Sequence, residues 1–130
     1  MAKRILLCDD DVTITSAARY KLAQAGYDVQ CASDGLAGWE AIQACSPDLL
    51  ITDCQMPRLN GLQLIARIRE VPLLAELPIF LLTGKGFELP HDELKQRFNL
   101  RAVLDKPFSP RELLKLVNQA LAHEPVAPSP

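Results

Sequence analysis

Short apolar runs alternate with longer amphipathic segments along most of this chain. The runs predict five strands, at residues 5–8, 29–31, 49–51, 79–82 and 102–104. In the segments that follow them, apolar residues recur every three or four positions, as they do in amphipathic helices. No hairpin signal joins one run to the next, and strands that are apolar throughout need cover on both faces. The pattern therefore predicts an α/β fold in which five helices cover a five-stranded parallel sheet, a (βα)5 arrangement.

Four of the five helices have a clear period. Their inward positions are Ile14, Ala18, Leu22 and Ala25 in the first; Trp39 and Ile42 in the second; Leu62, Ile65 and Ile68 in the third; and Leu113, Leu114, Val117 and Leu121 in the last. The weakest segment is 84–100. We expect a helix centred on residues 92–98 there, starting late because proline cannot donate a backbone hydrogen bond inside a helix and Pro90 precedes it.

Length and composition fit one globular domain. The chain has 130 residues, of which 48% are hydrophobic and 23% charged. We expect residues 1–123 to form the domain, and residues 124–130, which include three prolines, to form a flexible tail.

The charge and the cysteine pattern argue against several classes of function and location. The net charge is −2 and the basic residues are scattered, so direct DNA binding is not expected. No apolar run is long enough for a signal peptide or a membrane span. Cys8, Cys31, Cys45 and Cys54 show no metal-ligand spacing and lie inside apolar segments, which is typical of buried free thiols in a reduced, cytoplasmic setting.

Particular polar residues follow the predicted strands. They are Asp9, Asp10 and Asp11 after the first strand, Asp53 after the third, Thr83 after the fourth and Lys106 after the fifth. Ligands of parallel sheets bind at this edge, so we expect these side chains to converge. Carboxylates from two strand ends repel one another, and a hard divalent cation such as Mg²⁺ relieves the repulsion while leaving room for phosphate oxygens.

The same residues could carry phosphoryl chemistry. A carboxylate such as Asp53 can attack phosphorus to give an acyl phosphate. Lys106 could pair with that carboxylate at rest and with a phosphoryl oxygen afterwards, while the Thr83 hydroxyl could donate to another oxygen.

The ordered motifs resemble the receiver domains of two-component response regulators, of the stand-alone type, from about residue 3 to residue 123. The matching pieces are residues 5–11, 47–53, 56–57, 60–61, 81–83 and 105–108. The resemblance implies a flavodoxin-like doubly wound sheet. It also implies that the Lys106–Pro107 bond can be cis.

For the site, the resemblance implies Asp53 as the phosphoacceptor, with Thr83 and Lys106 assisting, and a Mg²⁺ cofactor. Asp10 would be a direct metal ligand, Asp9 would act mostly through water, and the Gln55 backbone carbonyl would be a further ligand. Asp11 is better explained as a helix-start residue.

The implied function is signalling rather than enzymatic turnover. A sensor histidine kinase or phosphotransfer protein would supply the phosphoryl group. Phosphorylation would then bias a two-state equilibrium around the loop after Thr83 and change affinity for a downstream protein, with the chain a monomer or a phosphorylation-dependent dimer.

Two features depart from the usual family pattern. Val103 stands three residues before the lysine, where many members carry a rotating aromatic, so aromatic readout is in doubt. The loop and helix after Thr83 also differ, since they contain Gly84, Gly86 and Pro90.

Lys85 and the Gln55 side chain follow the two site residues Thr83 and Asp53. They could tune the lifetime of the acyl phosphate by controlling water access.

Two other functions remain open at this stage. Residues 9–13 fit the DxDx(T/V) pattern of haloacid dehalogenase-like phosphatases, with Asp9 as nucleophile and Asp11 as acid/base. That alternative lacks the later acidic pair and leaves Asp53 unexplained. The other is a receiver-like binding module that works without phosphorylation.

Overall fold

The computed structural model describes residues 2–84 and 90–122, which form one α/β domain. In chain order the elements are β1 (Arg4–Cys8), α1 (Val12–Gln24), β2 (Asp28–Ala32), α2 (Gly35–Ala44), β3 (Leu49–Asp53), α3 (Gly61–Arg69), a 3₁₀ turn (Pro72–Leu74), β4 (Ile79–Thr83), α4 (His91–Phe98), β5 (Ala102–Asp105) and α5 (Pro110–Ala122). The predicted elements are all present, and the late fourth helix starts directly after Pro90. The predicted tail at 124–130 lies outside the described residues.

All five strands are parallel, in the order β2-β1-β3-β4-β5. This is the flavodoxin-like doubly wound order, so the predicted fold class is confirmed. The chain leaves β1 toward one edge to form β2, then crosses back to form β3 on the other side. A crevice opens where the direction changes, between the carboxyl ends of β1 and β3.

The sheet separates two apolar layers. Side chains of one face pack under α2, α3 and α4, and those of the other face pack under α1 and α5. Within β3, Leu50 belongs to the first layer and Ile51 to the second, because successive strand residues point to opposite faces. Strands β3 and β4 are buried at every position, so the residues that end them are held rigidly.

Helix α1 ends at Gln24, one residue before the last inward position that its apolar pattern predicts. Ala25 was expected to face inward, but it is the C-cap and is exposed. Gly26 follows with a positive φ of 101°, which glycine adopts without strain and which turns the chain toward β2.

Within residues 2–84 and 90–122, no helix is both long and apolar enough to cross a membrane.

Candidate functional site

Three carboxylates meet in the crevice between β1 and β3. One oxygen from each of Asp9, Asp10 and Asp53 lies within 4.8 Å of the others. Asp9 follows β1 and Asp53 ends β3, and both are buried, whereas Asp10 is exposed. The sheet topology therefore supplies two rigid carboxylates and the following loop supplies a third at the rim.

Local hydrogen bonds give the aspartates that follow β1 different roles. Asp11 is the N-cap of α1, and its carboxylate accepts from the backbone N–H groups of Thr13 and Ile14 at 2.9 and 3.3 Å. The backbone N–H of Asp11 in turn donates to Asp9 Oδ1 at 2.9 Å. Asp11 is thus a helix-start residue, as predicted, and Asp9 is held with its other oxygen facing the crevice.

Lys106 connects two of the carboxylates. Its Nζ lies 2.8 Å from Asp9 Oδ2 and 3.1 Å from Asp53 Oδ2. Burial lowers the pKa of Lys106, but the hydrogen bonds and charges of Asp9 and Asp53 outweigh burial and raise the pKa above its ordinary value. The ammonium group therefore stays charged and fixes the position of both acids.

Asp53 is in an unfavourable environment for an anion. Burial and then the charge of Asp9 raise the pKa of its carboxyl, and Lys106 offsets part of that rise. The Asp53 side chain is only 8% exposed. A second cation at the carboxylate cluster would stabilise the ionised form of Asp53.

The donor set fits a hard divalent cation. All three side chains offer carboxylate oxygens, and apart from its ion pair with Lys106 the buried Asp9 Oδ2 has no hydrogen-bond donor among the described residues. An open cleft of about 420 Å³ adjoins the cluster, lined by Asp10, Asp53, Gln55 and Lys106 among others. It leaves room for water and phosphate oxygens beside a metal ion.

Thr83 ends β4 and is buried, but its hydroxyl is engaged on the side away from Asp53. It donates to Asp105 Oδ1 at 2.8 Å, and His91 Nε2 lies 2.9 Å from the same oxygen. Sequence reasoning did not select Asp105 or His91. The available signal was the position of Asp105 directly before the lysine, at the end of the strand next to β4.

The remaining predicted features have different outcomes. The Lys106–Pro107 bond is cis, as the resemblance implied. Val103 is half-buried against the layer that contains α4. Cys54 is buried as predicted, but Cys45 is exposed because it lies at the C-cap of α2. Lys85 lies outside the described residues, so its proposed effect on the acyl phosphate stays a prediction.

Comparison with known proteins agrees with this architecture. The sequence matches the family model of the response regulator receiver domain over residues 5–118. The chain belongs to this family, the receiver domains of two-component response regulators.

Individual relatives are similar over nearly the whole chain. The alkaline phosphatase synthesis transcriptional regulatory protein PhoP of Bacillus subtilis is 33% identical over 135 residues, covering 98% of this chain and 52% of PhoP. Among solved structures, the receiver domain of Francisella response regulator 1452 has a TM-score of 0.82 at 27% identity, covering 92% of this chain and 97% of that one. The chemotaxis protein CheY4 of Vibrio cholerae has a TM-score of 0.82 at 26% identity, covering 92% and 99%.

The chain spans about half the length of the curated relatives it matches, between 48% and 57% of each.

Proposed function

We propose that this domain is a Mg²⁺-dependent phosphoacceptor switch in which Asp53 receives a phosphoryl group from a phosphohistidine. The observation that carries the proposal is the contact of the Asp53 carboxylate with Lys106, beside two further carboxylates in an open cleft. The donor would be a sensor histidine kinase or a phosphotransfer protein.

In the transfer, an Asp53 carboxylate oxygen attacks phosphorus, the phosphorus–nitrogen bond breaks, and the released imidazole nitrogen takes up a proton. Asp9, Asp10, Asp53 and the Gln55 backbone carbonyl would hold Mg²⁺, which supplies positive charge to the phosphoryl oxygens. Lys106 exchanges its contact with the Asp53 carboxylate for one with a phosphoryl oxygen.

A signalling role is favoured over turnover as a phosphatase. A dehalogenase-like mechanism needs Asp11 as an acid/base, whereas Asp11 here caps α1, with its Oδ1 accepting from two backbone N–H groups. Asp53, which that mechanism does not use, lies in the carboxylate cluster. A module that works without phosphorylation has no need for three carboxylates brought within 4.8 Å of one another.

The output would be a changed affinity for a downstream protein, by a shift between two states of the surface around α4. PhoP is named as a transcriptional regulatory protein, and that activity belongs to the whole of PhoP. We further propose a cytoplasmic location, where the cysteines stay reduced, and a monomer or a phosphorylation-dependent dimer.

Labelling with a small phosphodonor tests the proposal. The chain is incubated with acetyl phosphate and Mg²⁺, the acyl phosphate is trapped by borohydride reduction, and the modified residue is located by mass spectrometry. We expect label on Asp53 and loss of label in Asp53→Asn. Label should be unchanged in Asp48→Asn, which removes an equal charge next to the amino end of β3.

Two other results would contradict the proposal. Rapid multiple turnover that depends on Asp9 would support the phosphatase. Absence of both label and Mg²⁺ binding would support the binding module.

A further inference from the structure

A chain of three polar side chains leads from the phosphorylation site to α4. The Thr83 hydroxyl donates to Asp105 Oδ1 at 2.8 Å, and His91 Nε2 lies 2.9 Å from that oxygen. Thr83 and Asp105 are paired in the β4–β5 register, and His91 is the first residue of α4. One carboxylate oxygen thus joins the end of a central strand to the start of a helix.

The Thr83 hydroxyl cannot donate to Asp105 and to a phosphoryl group on Asp53 at the same time. A hydroxyl has a single proton to donate. Asp105 lies on β5, whereas Asp53 lies on β3, the neighbour of β4 on its other side. A hydrogen bond from Thr83 to a phosphoryl oxygen on Asp53 therefore requires the bond to Asp105 to break.

Among residues 2–84 and 90–122, the Asp105 side chain forms hydrogen bonds with Thr83 and His91 only. Its side chain is 71% exposed, so the packing of described residues does little to fix its position. The hydrogen bond from Thr83, and after it that of His91, lower the pKa of the Asp105 carboxyl, which keeps it an anion and a good acceptor. When the Thr83 hydroxyl turns to the phosphoryl group, the Asp105 side chain loses its hydrogen bond to β4 and retains its contact with His91.

The start of helix α4 is described from its N-cap onward. Its N-cap is Pro90, and no side chain within the described part of the chain caps it. The His91 contact with Asp105 is a polar link between the first turn of α4 and the end of β5.

We propose that Asp105 and His91 are positioning residues that report the state of Asp53 to α4, with the Thr83 hydroxyl exchanged between Asp105 and the phosphoryl group. The proposal rests on the proposed function of Asp53. Val103 cannot supply the rotating aromatic ring that many receiver domains use. The contacts of Asp105 and His91 would give this chain a polar readout route instead.

Beryllium fluoride with Mg²⁺, a phosphoryl mimic, tests the first link by titration of the whole chain. Removing the competing acceptor in Asp105→Ala should tighten binding about threefold to tenfold, the worth of a net hydrogen bond. Asp105→Asn keeps an acceptor oxygen and should restore most of the wild-type affinity. In a Thr83→Val background, which has no hydroxyl, Asp105→Ala should change affinity less than twofold.

The second link is tested by the amide NMR shifts of α4 on addition of the mimic. We expect the response at Leu94 and Lys95 to shrink by at least half in His91→Ala and to persist in Asp92→Ala, the next residue of the same turn. His91 and Asp92 are at the surface, so neither change should unfold the domain.

Unchanged affinity in Asp105→Ala, or an equal gain with and without the Thr83 hydroxyl, would overturn the role of Asp105. A full α4 response in His91→Ala would overturn the role of His91. Failure of the unaltered chain to bind the mimic in an Asp53-dependent manner would overturn the proposed function itself, which is a distinct result.

Discussion

Gly61 lies so close to the backbone of Asp53 that a Cβ on Gly61 would fall 2.0 Å from the Asp53 carbonyl oxygen. The Gly61 N–H also donates to the Cys54 carbonyl at 2.9 Å. The start of α3 is therefore packed directly on the strand end that carries the phosphoacceptor. Glycine is required here by close approach, since its φ is not positive.

We expect Gly61→Ala to lower the free energy of unfolding by about 1–3 kcal/mol, because the added methyl group must push α3 away from β3. Urea unfolding measures the change. Gly84→Ala is the matched control, since a Cβ there lies within 4 Å of none of the described residues and should alter stability little. Equal stability of the two variants would contradict this account of Gly61.

The carboxylate cluster predicts stabilisation by Mg²⁺. At a free concentration ten times the dissociation constant, the ion should add about 1.4 kcal/mol to the free energy of unfolding. Asp10→Asn should abolish most of this gain. Asp11→Asn removes the same charge from the adjacent residue but keeps a good helix cap, so it should retain the gain.

Thermal unfolding with Mg²⁺ and with a chelator measures the effect. An equal loss in the two variants would mean that general charge, and not ligation, explains any stabilisation.

Arg69 fastens the end of α4 to the rest of the domain. Its guanidinium donates to the backbone carbonyls of Leu74, Ala75, Phe98 and Asn99 at 2.7–3.2 Å. We expect Arg69→Gln to cost about 2 kcal/mol of unfolding free energy, because these bonds come from a charged donor and their loss leaves carbonyls unpaired.

Hydrogen exchange should show the loss of Arg69 first at Leu100, whose amide closes the last turn of α4. Arg67→Gln is the control, since Arg67 is exposed on α3, the helix that also carries Arg69. Faster exchange spread evenly over the sheet would indicate general destabilisation and not a local fastening.

Much of this molecule could be predicted from local pattern. Apolar runs and the polar residues directly after them are local properties, and the parallel topology then places Asp9 and Asp53 at one edge. The cap role of Asp11 is local as well. The prediction that Ala25 faces inward was wrong, because periodicity alone does not say where a helix ends.

The contacts that escaped prediction depend on distant parts of the chain. Asp105 meets Thr83 only because β4 and β5 pair in one particular register, and His91 reaches them only because of where α4 begins. Likewise, the close approach of Gly61 to Asp53 depends on how α3 packs on β3.

The raised pKa of Asp53 predicts how its neutralisation affects stability as pH changes. Burial, followed by the charge of Asp9, raises this pKa above the ordinary value of 3.8, so the folded state binds the proton more tightly than the unfolded state. Native stability therefore falls as pH rises from about that ordinary value through the raised one. Asp53→Asn has no proton to lose and escapes this fall, while Lys106 keeps its contact with Asp9.

Urea unfolding of chelator-treated protein measures the effect. The wild type and Asp53→Asn should have similar stabilities at low pH, and the variant should be the more stable near neutral pH. Saturating Mg²⁺ should remove that advantage by stabilising the wild-type carboxylate. A variant less stable than wild type at neutral pH without metal would show that the attraction of Lys106 outweighs burial and the repulsion of Asp9.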